Sequence, residues 1–250
     1  MNTSATPAFV PFSPTHAWAV VAFAACTIAL VLYARPRRGS TAVRRVEIAL
    51  GSFNLVCWVL IAAWWLRPSN FTWQVALPLQ VCDLAALLAP ITMLWPRRLF
   101  STLLFFWGFG LSSQAFATPT LAQGPGDLYF WIFWYQHAAI VGGAVYEVAV
   151  RGYRPGWRDY WIAIGISYAY LAMALSVNAA LGSNYGYVGR DRPGVPTALD
   201  LLGPWPMRVV WIVLIVHVAF AALTLPAWWL ARRRPNATPA ISAHGPQSPA

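Results

Sequence analysis

Residues 73–95 read WQVALPLQVCDLAALLAPITMLW. The run is apolar enough, and long enough at about 1.5 Å per residue, to cross roughly 30 Å of hydrocarbon as a helix. Yet its centre, LPLQVCDLA at 77–85, holds a proline, an amide, a thiol and a carboxylate. Each of these groups is costly to desolvate without a partner. The stretch therefore poses two questions at once: what fold carries it, and what the polar groups are for.

Outward from this run, 59% of the 250 residues are hydrophobic and only 10% are charged, which takes the chain out of the range of ordinary soluble domains. The reading is an integral membrane protein, all-α, with one helical-bundle domain. Irregular loops and open sheet edges cannot face lipid, so apolar runs of this length become helices. Uninterrupted apolar length predicts seven spans, near 16–34, 47–66, 73–95, 99–116, 128–150, 159–181 and 208–231. Breakers separate them: Arg35-Pro36, Arg67-Pro68, Trp95-Pro96, TPTLAQGPGD at 118–127, Arg154-Pro155-Gly156, and the long stretch 182–206. The fourth run is short and interrupted by glycine, so six spans plus a re-entrant segment is the competing count. The domain division follows: an N-terminal segment 1–15, a seven-span domain 16–234 and a tail 235–250 whose Pro, Ala and Ser content predicts disorder.

The basic residues orient this arrangement. All 17 are arginine, and without any lysine neither a retinal-type Schiff base nor a lysine nucleophile is available. Thirteen arginines fall after spans one, three, five and seven, and four on the other side. By the excess of basic residues in cytoplasmic loops, the N-terminus is expected outside and the C-terminus in the cytoplasm. The arginines lie in short gaps rather than along one face, so nucleic acid is not an expected partner. Cys26, Cys57 and Cys82 are widely spaced and odd in number, which argues against a disulfide framework or a structural zinc site. The first residues lack the basic region and cleavage site of a secretory signal.

Few ionisable groups lie within the spans. Glu47, beside Arg44 and Arg45, and Glu147, four residues before Arg151, read as interfacial ion pairs. Asp83, His137 and His217 remain. Counted along their helices, Cys82, His137 and His217 fall about ten residues, roughly 15 Å, from the outer surface. Gln80, Cys82 and Asp83 in span three, Ser112, Ser113 and Gln114 in span four, Tyr135, Gln136 and His137 in span five, and Ser176 and Asn178 in span six share that outer half, whereas His217 has apolar sequence neighbours. These residues predict a polar pocket, open to the outer side, bounded by spans three to six. Pro78 fits as a helix residue that frees a carbonyl toward that pocket.

Two chemistries are open. A thiol attacks as thiolate, so Cys82 needs a base, and His137 is one; Asp83 could then orient the histidine, as in an acyl-transfer triad, with Gln80, Gln114 or Asn178 near the oxyanion. Alternatively, cysteine is a common filler in helix packing, and an intramembrane His or Asp often bonds across helices.

The motifs LPLQVCDLA, GLSSQAFATPTL (110–121), WYQHAA (134–139) and NYGYVGRDRPGVPTALDLLGPWP (184–206) resemble, in this order, the YwaF-like integral membrane family, which extends to vertebrate proteins acting on ether phospholipids. The resemblance runs from about Leu77 to Arg208. It implies about seven spans and, from the vertebrate members, transfer of an acyl chain between phospholipids through a cysteine thioester. Matched by position, it makes Cys82 the nucleophile, His137 its partner and Asp83 the carboxylate. On the acyl-transfer reading a membrane phospholipid is the expected substrate, the polar residues Gln80, Gln114, Tyr135, Asn178 and Asn184 are expected to bind it, no metal or other cofactor is required, and the expected host is a bacterial cytoplasmic membrane. Where the family pattern has a histidine two residues before the cysteine, this chain has Gln80.

Overall fold

The computed structural model describes residues 8–190 and 198–232. Seven α-helices run through them: α1 Pro14–Ala34, α2 Thr41–Trp65, α3 Val81–Leu94, α4 Arg98–Trp107, α5 Leu128–Ala149, α6 Trp157–Leu181 and α7 Met207–Arg232. The expected tail 235–250, and residues 1–7 of the N-terminal segment 1–15, lie outside the described residues. Local chemistry sets the ends. Ser13 accepts from the His16 N–H ahead of Pro14 at the first helical position, Ser40 accepts from the Val43 N–H, and Asp127 from the Tyr129 N–H. Gly182, with φ +60°, closes α6 in the left-handed conformation that favours glycine.

Five segments are long and apolar enough to cross a membrane: Pro14–Arg37, Thr41–Trp65, Arg98–Phe116, Trp157–Leu181 and Met207–Trp229. Of the seven spans expected from the sequence, the third and the fifth are the two whose helices fall outside this measure. α5 has the length, but Tyr135, Gln136, His137 and Glu147 dilute its apolar character. α3 has 14 residues, about 21 Å at 1.5 Å each. The missing part of the expected third span is residues 73–80, which are irregular, so Pro78 stands outside the helix and Gln80 is the residue that starts it.

The centre of the bundle is α3, α4 and α5, where Ala85, Leu104, Phe106, Ile140 and Ala144 are fully buried. Small residues let these helices close up: a Cβ on Gly143 would lie 3.2 Å from Leu104 and 3.5 Å from Ala89. α1, α2 and α7 keep large apolar side chains exposed, among them Ile28, Phe53, Val56, Leu214 and Val218, as a lipid-facing rim requires. α4 does not end cleanly. It passes into a π-helical turn, Gly108–Ser112, and a 3-10 turn, Ser113–Phe116.

The two ends of the bundle are built differently. At the arginine-rich end Arg151 spans Glu147 (2.8 Å) and Glu47 (3.1 Å), and Arg44 adds a bond to Glu47 at 3.2 Å while capping the Met93 and Leu94 carbonyls. Arg98 grips Asp159 with two bonds, of 2.9 and 2.7 Å. The expected pairing of Glu47 and Glu147 with nearby arginines is therefore present. The opposite end is made of loops. Phe9 donates to the Ala122 carbonyl, and His16 bonds the Phe116 carbonyl, which ties the N-terminal segment to the loop after α4.

Candidate functional site

Irregular backbone within a membrane bundle must find partners in protein or line a cavity. The segment 73–80 does both. Tyr185, from the loop after α6, donates its hydroxyl to the Trp73 carbonyl and accepts from the Leu77 N–H; Tyr170 of α6 donates to the Leu79 carbonyl at 2.9 Å. The Gly186 N–H donates to the Gln80 side-chain oxygen at 2.9 Å. A Cβ at Gly186 would meet the Tyr170 hydroxyl at 2.7 Å and its φ is +66°, so glycine is required where this turn crosses α6.

Beneath that turn lies a cavity of about 680 Å³. Its volume falls within the range of about 300–1,000 Å³ usual for organic-ligand sites. Cys82 and Asp83, in the first turn of α3, open into it, and so does His137, ten residues along α5. Gln80, Gln114 and Tyr135 line it as well. Of the eight expected site residues, six thus share one cavity. Asn178 and Asn184 are not in its wall. Asn178 accepts from the Tyr185 N–H and the Ser183 hydroxyl and donates to the Tyr185 carbonyl, while Asn184 accepts from the Gly189 N–H. Both shape the turn that carries Tyr185 and Gly186.

The hydrogen bonds assign orientations that spacing left open. The His137 Nδ1–H donates to the Phe133 carbonyl at 2.8 Å, because a carbonyl only accepts. Its Nε2 then carries the lone pair and is the nitrogen able to take a proton. Asp83 does not orient this imidazole, which corrects the expected triad: it accepts from the Gln136 amide at 2.8 Å and from the Gln80 N–H at 3.1 Å. The second bond is the reason. Asp83 sits at the third position of α3, where a carboxylate reaches back to the N–H that opens the helix. The Trp58 indole N–H, donating to the Asp83 carbonyl at 2.9 Å, fastens the same turn to α2.

Other residues in the wall were not expected. Asn54 of α2 accepts from Tyr135, and an amide within an apolar run was a legible signal for it. His217 also reaches the cavity despite its apolar sequence neighbours. Its Nδ1 is bonded to the Val213 carbonyl and its ring stands edge-on to Tyr168. Tyr187 enters from the loop, with φ +60° and its hydroxyl 3.3 Å from Thr120. Burial pushes the Tyr187 phenol above its ordinary value, with nearby Cys82 and Asp83 adding to the push and the Thr120 bond opposing it. No local pattern in the sequence announces a tyrosine in that conformation. Away from these polar groups the wall is apolar, with Leu171 of α6 and Ile212, Val213 and Val216 of α7. Among the described residues, no group of three or more His, Cys, Asp and Glu side chains is placed to hold a metal ion.

The TMEM164 family is matched over residues 11–224, most of the chain and every element of this cavity. The chain belongs to the TMEM164 family. Within that assignment, this TMEM164-family chain is 28% identical over 119 residues to an uncharacterized protein of Treponema pallidum (strain Nichols), a match covering 48% of this chain and 50% of the other. The match thus spans about half the length of that relative. No solved structure matches the chain.

Proposed function

We propose that this protein is a membrane-embedded cysteine acyltransferase, which takes an acyl group from a membrane phospholipid onto Cys82 and passes it to a second lipid or to water. The observation that carries the reading is the shared cavity: Cys82 and His137, on different helices, open into one recess, and the imidazole is held with Nε2 as its basic nitrogen. The YwaF-like resemblance, with its cysteine and histidine at these two positions, points the same way. The arginine-rich end is read as cytoplasmic, which puts the loop-covered cavity on the outer side of a bacterial cytoplasmic membrane.

The chemistry follows from the side chains. His137 Nε2 takes the thiol proton as Cys82 Sγ attacks the ester carbonyl carbon. When the ester C–O bond breaks, the same nitrogen returns that proton to the departing lysophospholipid oxygen, leaving a thioester on Cys82. An acceptor hydroxyl then reverses the sequence. The apolar wall suits the acyl chain, and the polar end suits the ester, so a lipid entering sideways from the bilayer keeps both environments. In this scheme Asp83 positions α3 and Gln136 rather than the base.

The test is to incubate purified protein with phospholipid labelled in its acyl chain and look for an adduct on Cys82 that hydroxylamine releases. Labelling of wild type but not of Cys82→Ala is expected. The absence of any adduct on folded wild type overturns the proposal. A second reading, a binding or transport protein using the same cavity, is favoured by the Asp83–Gln136 bond, because a carboxylate held by an amide is free of the imidazole. It predicts that Cys82→Ser binds lipid as wild type does, whereas Asp83→Asn and His137→Gln do not.

A further inference from the structure

Ser112 and Ser113 are neighbours at the end of α4 with opposite fates. The Ser113 hydroxyl donates to the Phe109 carbonyl at 2.6 Å, four residues back, as serines in helices commonly do. The Ser112 hydroxyl makes no such bond. Ser112 is among the residues that line the cavity, and its hydroxyl oxygen is buried with no hydrogen-bond partner. A shielded hydroxyl without a partner is disfavoured, and such groups in a folded protein call for an explanation.

The backbone supplies one. Ser112 is the last residue of the π-helical turn Gly108–Ser112, a wider turn than the α-helix that concentrates at functional sites. The turn is locked by close packing on both sides. A Cβ on Gly108 would lie 3.1 Å from Ala144 of α5, and one on Gly110 would lie 2.7 Å from the Phe220 ring of α7. Two glycines thus let two helices press on the turn and hold Ser112 in place. The position is prepared in advance, which is the property a donor needs if it is to meet charge as it develops.

We infer that the Ser112 hydroxyl is a further catalytic residue, the donor to the substrate's acyl carbonyl oxygen. The inference rests on the acyl-transfer reading of the cavity. As Cys82 Sγ forms its bond to the carbonyl carbon, the carbonyl π electrons move onto oxygen, and the Ser112 O–H donates a hydrogen bond to that oxyanion without giving up its proton. When the oxyanion collapses, the C=O bond reforms, the ester C–O bond breaks and the leaving oxygen takes the proton from His137 Nε2. Nothing is oxidised or reduced, and the ligand class is a carboxylic ester carried by a lipid. A bound ester oxygen also supplies the partner that the hydroxyl lacks.

The experiment compares wild type with Ser112→Ala in full-length protein, using phosphatidylcholine vesicles labelled in the acyl chain. It follows the rate of hydroxylamine-labile labelling of Cys82, its dependence on lipid concentration, and the thermal midpoint. The expected result is a maximal rate lowered by about 10²–10³, a half-saturating lipid concentration close to wild type, and a midpoint equal or higher, because an unpartnered hydroxyl has been removed. Wild-type labelling with an equal rate in Ser112→Ala overturns the Ser112 assignment and leaves the acyl-transfer reading standing. A slower rate with a lowered midpoint, or a changed half-saturation at unchanged maximal rate, also overturns it, in favour of a packing or recognition role. No adduct on wild type removes the acyl-transfer reading and this inference together.

Discussion

The two ends of this bundle treat buried carboxylates in opposite ways. At the arginine-rich end Glu47, Glu147 and Asp159 each meet a guanidinium, and Arg151 alone holds two of them and the Thr92 carbonyl. Beside the cavity Asp83 meets an amide and a backbone N–H, His137 keeps one nitrogen open, and Ser112 has no partner. A charge matched by a charge is locked, since removing one partner strands the other. Groups held only in part are free to act on a ligand. The first end is therefore the frame, and the second is where the proposed acyl transfer would take place.

This contrast can be broken most directly at Cys82. Cys82→Ala is expected to abolish acyl labelling altogether while leaving the thermal midpoint in detergent within the range of wild type, because cysteine and alanine differ little in volume; a large drop in midpoint would make Cys82 part of the frame. Next, His137→Gln keeps an amide in place of the ring but has no base, and labelling should fall by about 10²–10⁴. An unchanged rate would hand the base to His217 or to water. Arg151→Ala sharpens the other half of the comparison. Leaving Glu47 and Glu147 without their shared cation should cost about 3–5 kcal/mol, read as a lower unfolding midpoint, with labelling retained in whatever fraction stays folded.

Smaller effects probe the seam between the two regions. Tyr185→Phe leaves the Leu77 N–H and the Trp73 carbonyl without their common hydroxyl, a loss of about 1–3 kcal/mol. Faster hydrogen exchange confined to residues 73–80 is the expected readout. Gln80→Ala removes one bond, from the Gly186 N–H, for about 0.5–1.5 kcal/mol. Gln80→His, which places the residue usual in the resembling family, should recover most of that, since an imidazole nitrogen can accept the same bond. If it does not, Gln80 has a role that histidine cannot share.

Much of the frame was legible because its causes are local. Apolar length located all seven helical segments, and spacing along the chain anticipated the Arg44–Glu47 and Arg151–Glu147 pairs but not Arg98–Asp159 or Arg151–Glu47, which join distant segments. The start of α3 was missed for a non-local reason. Residues 73–80 have the composition of a helix, but Tyr185 and Tyr170, about a hundred residues away, satisfy their backbone groups in an irregular path. Asn178 was assigned to the pocket from its depth, yet depth says nothing of the face on which a side chain sits, and Asn178 faces the Tyr185 turn.

What the chain determined by itself is an all-helical membrane protein with polar groups concentrated in one half, because burial of apolar side chains and the cost of charge in hydrocarbon act residue by residue along it. Tertiary structure alone decided which polar groups share a cavity, that Asp83 binds Gln136 rather than His137, and that Ser112 is left without a partner. Those outcomes depend on how α3, α4, α5 and the loop after α6 meet in space. Hydrogen bonds are directional and short, so a one-residue change in where a helix begins, as at Val81, reassigns every partner around it.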